Sequence, residues 1–214
     1  MNKAQNIRVL FLFAMEEEER EFRNICNVEE LSSRGFITRL AVTGIGKVNA
    51  ALAAAGNIES FNPDWVVSFG YAGGYGGNAK LGQIIIGTST FHFDAWCGEP
   101  NLRGQIQGMP HKFGLKLNLR FFGDLFNKEE ANVSVIATSD HFVTDENEAK
   151  YAISVCNMSK PETHENDIIT FDMETAAIAQ TCYKMGIGNV MAVKIISDVV
   201  GSKNQMKDYE ESKK

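Results

Sequence analysis

In two places the chain sets carboxyl groups where a short apolar run gives out: Phe171-Asp172-Met173-Glu174-Thr175-Ala176-Ala177 follows Ile168-Ile169, and Ile195-Ile196-Ser197-Asp198 follows Val190-Met191-Ala192-Val193. Runs of this length and composition suit strands buried on both faces. A sheet that delivers acids at its strand ends is building a site. These acids are therefore placed by the fold and are not scattered over a surface.

Around them, strand-like and helix-like segments alternate, which points to one α/β domain over residues 1–214 with a central mixed sheet flanked by helices. Ile7–Phe13 reads as a strand. Glu16–Cys26 reads as a helix whose acidic first turn suits the positive end of the helix dipole. Phe36–Val42 is strand-like, and Gly44-Ile45-Gly46 turns into an alanine-rich helix over Lys47–Ile58, broken by Asn62-Pro63. Trp65–Phe69 reads as a strand, Gly70–Gly77 as a loop and Gly82–Phe93 as a long β segment. Asp94–Pro110 lacks periodicity and reads as a loop of functional length. Ser134–Thr138 is a further strand, while Glu146–Cys156 and Glu174–Met185 are helices, the second closed by Gly186. The tail Gly201–Lys214 is polar and reads as weakly structured.

The carboxylates and glycines that follow these strands collect at C-terminal strand ends: Glu16–Glu19, the Gly70 loop, Ser139-Asp140, Asp172 with Glu174, and Ser197-Asp198. Ligands of open α/β sheets bind outside those ends, so the five segments are candidate walls of one pocket. Glu16, Glu17 and Glu19 have a plainer reading as dipole complements at a helix start. Gly70, Gly73 and Gly74 are read either as places of close backbone approach to a ligand or as a tight turn.

Other chemistries are disfavoured. A net charge of -6 lacks the basic clusters that bind phosphate backbones. The four cysteines, Cys26, Cys97, Cys156 and Cys182, are far apart and form no paired motif, which suggests free thiols in a reducing compartment. The dispersed histidines offer no metal-ligand spacing, so neither metal nor other cofactor is expected. No run approaches the roughly 18 apolar residues of a membrane span. Val9–Met15 resembles a signal-peptide core, but Glu16–Glu19 follow at once, so it reads as a first strand of a cytoplasmic protein. Gly44-Ile45-Gly46-Lys47 fails as a phosphate loop because Ala41 replaces the first glycine and Val48 the Ser/Thr. Gly74-Tyr75-Gly76-Gly77-Asn78-Ala79 matches a dinucleotide fingerprint literally, but β sequence follows it where a helix is needed.

Taken in order, Ala14-Met15-Glu16-Glu17-Glu18, Gly44-Ile45-Gly46-Lys47-Val48, Gly70-Tyr71-Ala72-Gly73-Gly74, Asp172-Met173-Glu174 and Ile196-Ser197-Asp198 resemble the motif series of 5'-methylthioadenosine/S-adenosylhomocysteine nucleosidases. These belong to the nucleoside phosphorylase superfamily. The resemblance runs from about Ile7 to Val199. It implies a nucleoside phosphorylase-like fold, an adenine nucleoside as small-molecule partner, and hydrolysis of its N-glycosidic bond. A weaker likeness, Gly104-Gln105 with Gly108-Met109-Pro110, resembles a loop that lines the neighbour's pocket in a homodimer.

By this resemblance Asp198 protonates adenine N7 and Glu18 activates water, while Glu174 holds the ribose hydroxyls. Met173 packs on the sugar, Ser197 orients Asp198, Phe142 stacks on the purine and Val143 offers it backbone hydrogen bonds. Asp172, Ala72 and Gly73 complete the expected binding surface. Tyr71 and Lys194 depart from the pattern, standing where the family usually has serine and arginine. The family's long C-terminal helix also has only Gly201–Lys214 in its place. Two alternatives remain: a phosphorylase that uses phosphate as the attacking group, and a nucleoside-binding homologue that has lost turnover.

Overall fold

The computed structural model describes residues 6–76, 79–121, 132–159 and 169–213. Gly77, Asn78, Ile168 and Lys214, which entered the sequence reading, lie outside them.

Strand β1 (Ile7–Phe13) shows why the first apolar run cannot be a surface element. Its alternate residues point to opposite faces. Val9, Phe11 and Phe13 enter an aromatic cluster with Phe22, Phe36, Phe69 and Phe121. Leu10 and Leu12 enter an aliphatic one with Ala50, Ala54, Ile58 and Ile178. The first cluster is closed by helices α1 (Glu16–Ile25) and α2 (Val28–Ser33), the second by α3 (Lys47–Phe61) and α5 (Thr175–Lys184). A third cluster, around Phe91, Phe93, Val135 and Ala137, packs against α4 (Glu146–Cys156).

Strand β1 pairs in parallel with β2 (Phe36–Val42) and with β3 (Trp65–Tyr75). From β3 the sheet runs through β7 (Ile169–Asp172), β6 (Asn132–Thr138) and β4 (Ile84–His92) to the short β5 (Phe113–Gly114). Strand β8 (Val190–Val199) pairs in parallel with β3 and antiparallel with β4. The pairings β3–β8–β4–β6–β7–β3 therefore close a five-stranded ring within a mixed sheet, and the fold class is the expected single-domain α/β one.

Three expectations are corrected. Of the stretch Gly70–Gly77 read as a loop, Gly70–Tyr75 is strand, because β3 continues to Tyr75: Gly70–Gly74 pair with β8, and Gly73 and Gly74 also pair with β7. The glycines are there for close approach, since a Cβ on Gly70 would lie 2.3 Å from Glu18 Oε1 and one on Gly73 3.1 Å from Asp198 Oδ2. Glycine inside a strand carries that meaning, but composition alone reads it as a turn. Ser197 and Asp198 are likewise within β8 and do not follow it. Finally, the tail is structured: Gln205–Ser212 forms helix α6, with Gln205 buried against the end of β8. Helix α2 and strand β5 had no counterpart in the sequence reading. Asp94–Pro110 contains no helix or strand, and three of the four free cysteines are buried, Cys97 being exposed.

Candidate active site

Glu18 is the third residue of α1, and its position follows from how that helix starts. Its carboxylate reaches back in the manner of a capping box, Oε2 accepting from Met15 N at 3.0 Å and from Ala14 N at 2.6 Å. Oε1 accepts from Tyr71 N at 2.8 Å, which ties the helix start to β3. Only this acid of the run is buried; Glu16, Glu17 and Glu19 are not. Burial raises its pKa, and the Lys194 charge and three backbone N–H groups oppose the rise.

Asp172 and Glu174 end β7 and begin α5. Asp172 accepts from Thr138 Oγ1 at 2.6 Å, Thr175 N at 2.9 Å and the Thr175 hydroxyl. Lys194 Nζ lies 3.0 Å from its Oδ2. Burial pushes the Asp172 pKa up, but the Lys194 charge and these hydrogen bonds outweigh it and hold the group ionised. The same environment keeps Lys194 charged: burial disfavours the ammonium, while Asp172, Glu174 and Glu18 favour it. Glu174 Oε1 accepts from Gly46 N at 2.8 Å and Oε2 from Met173 N at 3.3 Å. Its pKa is pushed up to about 7, first by burial and then by the Asp172 charge.

Asp198 is 1% exposed. Ser197 Oγ donates to its Oδ1 at 2.7 Å and lies 3.3 Å from Ala72 O, while Gln205 Nε2 donates to Oδ2 at 2.8 Å. Burial raises the pKa of this carboxyl against both hydrogen bonds.

These groups surround a cavity that is open to solvent. Glu18, Asp172, Glu174 and Asp198 supply its acids, and Tyr71, Ala72, Gly73, Phe142, Met173 and Ser197 line it as well. A smaller adjoining cavity shares Gly73, Phe142, Met173 and Asp198 and reaches Val143. Lys194 lines neither; it sits behind the acids. Ser139 and Asp140 do not line it either. Asp140 Oδ1 accepts from Lys47 N at 2.8 Å at the start of α3, and Ser139 Oγ donates to His141 O at 2.9 Å. No lysine or arginine lines the main cavity among the described residues. The same residues hold no group of three or more metal-ligating side chains.

Sequence reasoning missed Ile45, Phe171, Tyr209 and Gln205. Tyr209, on α6, packs its ring 5.1 Å from that of Phe142 and lines the cavity. The signal was present in the four-residue spacing of Gln205 and Tyr209, one helical turn apart, but the polar residues around them hid it.

A family model described as the phosphorylase superfamily matches residues 12–214. A 5'-methylthioadenosine/S-adenosylhomocysteine nucleosidase of Geobacillus sp. is 30% identical over 216 residues, covering 94% of this chain and 89% of its own. One from Bacillus cytotoxicus is 29% identical with the same coverage. The crystal structure of such a nucleosidase from Neisseria meningitidis, in complex with methylthio-immucillin-A, superimposes with a TM-score of 0.76 at 27% identity, covering 95% of this chain and 90% of that one.

Proposed function

The chain belongs to the 5'-methylthioadenosine/S-adenosylhomocysteine nucleosidase family of the phosphorylase superfamily, and from that premise we propose that its cavity cleaves adenine from a 5'-substituted ribose with water as the attacking group. It is a hydrolase of N-glycosidic bonds. Cleavage of such a bond passes through an oxocarbenium-like state and profits from an acid at the leaving base and a base at water. Asp198, whose burial favours the proton-bearing form, is the donor to adenine N7. Glu18 accepts the proton of the attacking water, its carboxylate held by three backbone N–H groups. Glu174 accepts from the ribose hydroxyls in its ionised form. Phe142 covers the purine, Val143 offers backbone groups to its edge, and Met173 packs against the sugar. Asp172, itself in the wall, pairs with Lys194 behind it, and this ion pair fixes the charge around Glu174 and Glu18.

The observation that favours water over phosphate is the cavity wall itself, which carries four carboxyl groups and no cation among its described residues. A phosphate dianion placed there would meet like charge in a poorly screened site. The buried cation nearby, Lys194, is already paired with Asp172. Incubation with 5'-methylthioadenosine in phosphate-free buffer is expected to release adenine and a free 5-methylthioribose, with inosine left intact. A strict requirement for phosphate would overturn this reading. We also place the protein in the cytoplasm as a homodimer. In support, no helix among the described residues is long and apolar enough to cross a membrane, and Ile45, Val48 and Leu52 leave apolar side chains exposed at and near the start of α3.

Tyr71 sets the range of 5' groups. Its half-buried ring borders both the cavity and an outer cleft between α1 and α6. Tyr71→Ser is therefore expected to raise kcat/KM for S-adenosylhomocysteine more than for 5'-methylthioadenosine, with a small change in Tm. An unchanged ratio with a large loss of Tm would make Tyr71 a packing residue, of the kind whose truncation costs about 3–5 kcal/mol.

A further inference from the structure

We propose that Gln205 is a positioning residue that yokes the acid to the backbone carbonyl at the purine edge, so that one carboxamide sets the geometry of both; this rests on the base-cleaving role given to Asp198 above. Gln205 is the first residue of α6 and is 4% exposed. Its Oε1 accepts from Gly201 N at 3.0 Å, which fixes the carboxamide against the turn that follows β8. Nε2 then donates to two acceptors at once, Val143 O at 2.8 Å and Asp198 Oδ2 at 2.8 Å. A primary amide has two N–H donors, and both are used.

Val143 follows β6 and Asp198 lies near the end of β8, strands that are not neighbours in the ring. Gln205 is therefore the link that holds these two parts of the site in register. Without it, Asp198 would keep only the Ser197 contact at Oδ1, and its carboxyl plane would be free to turn. Misplacing a reacting group by about 1 Å can cost roughly 10² in rate.

The link also acts on the proton. An N–H donor favours the charged form of a carboxyl, so Gln205 opposes the effect of burial and makes the Asp198 proton easier to give. The other groups around Asp198 are Asp208 and Tyr209 on α6, the Ser197 hydroxyl, and across the cavities Glu18, Asp172, Glu174 and His141. Asp208 pushes the Asp198 pKa up, and among the side chains that act on it only Ser197 and Gln205 push it down.

Gln205→Met keeps the length of the side chain and removes both donors, while Gln205→Ala is a second variant that leaves room for water. For each, kcat and KM on 5'-methylthioadenosine would be measured across pH, together with Tm and the Asp198 carboxyl titration by ¹³C NMR. A folded Gln205→Met variant is expected to lose about 10-fold or more in kcat, with KM within a few-fold of wild type. Its Asp198 titration should move to higher pH, carrying the alkaline limb of kcat/KM with it. Wild-type kcat with an unmoved limb would overturn the proposal. So would a loss of kcat and Tm with Asp198 titrating as in wild type, since that is the signature of packing alone.

Should neither variant fold, the wild-type Gln205 side-chain amide still decides. Its protons are expected to exchange slowly and to shift as Asp198 titrates, and fast exchange would overturn the proposal. Failure of the wild type to release adenine would sink the hydrolase reading instead, and the Asp198 titration in Gln205→Met would still test the yoke.

Discussion

Asp198→Asn is expected to lower kcat on 5'-methylthioadenosine by about 10² or more while the protein stays folded. The asparagine fills the same volume and can still hydrogen-bond Ser197, but it has no proton to hand to the departing base. Both oxygens of Asp198 are engaged, by Ser197 and Gln205, so the substitution leaves a polar group among polar partners and creates no cavity. KM should change little, because the proton matters in the transition state more than in the bound complex. Steady-state kinetics and a melting curve on the same preparation check it. Wild-type kcat in a folded variant would place the acid elsewhere.

An effect of comparable size is expected from a residue with no side chain at all. A Cβ on Gly70 would lie 2.3 Å from Glu18 Oε1 and 2.5 Å from its Cδ, so in Gly70→Ala the carboxylate must leave its place. It cannot simply swing aside, because Ala14 N, Met15 N and Tyr71 N all donate to it and it is buried. Losing the base that activates water would cost about 10²–10⁴ in kcat, and buried N–H groups left without an acceptor would lower Tm as well. Glu18→Gln is the matched control: its carboxamide keeps the size of the side chain and one acceptor oxygen but turns an NH2 toward a backbone N–H on the other side, so without the Cβ clash it should match the kinetic loss with a smaller loss of Tm. A Gly70→Ala variant with near-wild-type turnover would mean that Glu18 does not activate the water.

Much of this arrangement was legible because the acids sit in short, ordered motifs at strand ends. Glu18 could be singled out from its neighbours only by the family resemblance, and the physical reason emerges in three dimensions: as the third residue of α1 it is the one that can reach back to Met15 N and across to Tyr71 N. Strand β3 was read too short because glycine carries opposite meanings, a turn in isolation and close approach when a carboxylate lies against the strand. That carboxylate comes from residues 52 positions earlier, out of range of any local pattern. Helix α6 was missed for a related reason. It is stabilised by what Gln205 and Tyr209 reach, Asp198, Val143 and Phe142, more than by its own strongly polar composition. Lys194 was expected at the ligand because of where arginine stands in relatives. The chain instead places its ammonium behind the acids, 3.0 Å from Asp172.

If a cavity walled by carboxyl groups selects water as the nucleophile, the sugar product reports that choice directly. Wild-type protein would be given 5'-methylthioadenosine in buffer containing saturating inorganic phosphate, and the sugar examined by mass spectrometry and ³¹P NMR. The expected product is a free 5-methylthioribose with no phosphate ester. A ribose 1-phosphate, formed in proportion to added phosphate, would contradict the selection of water.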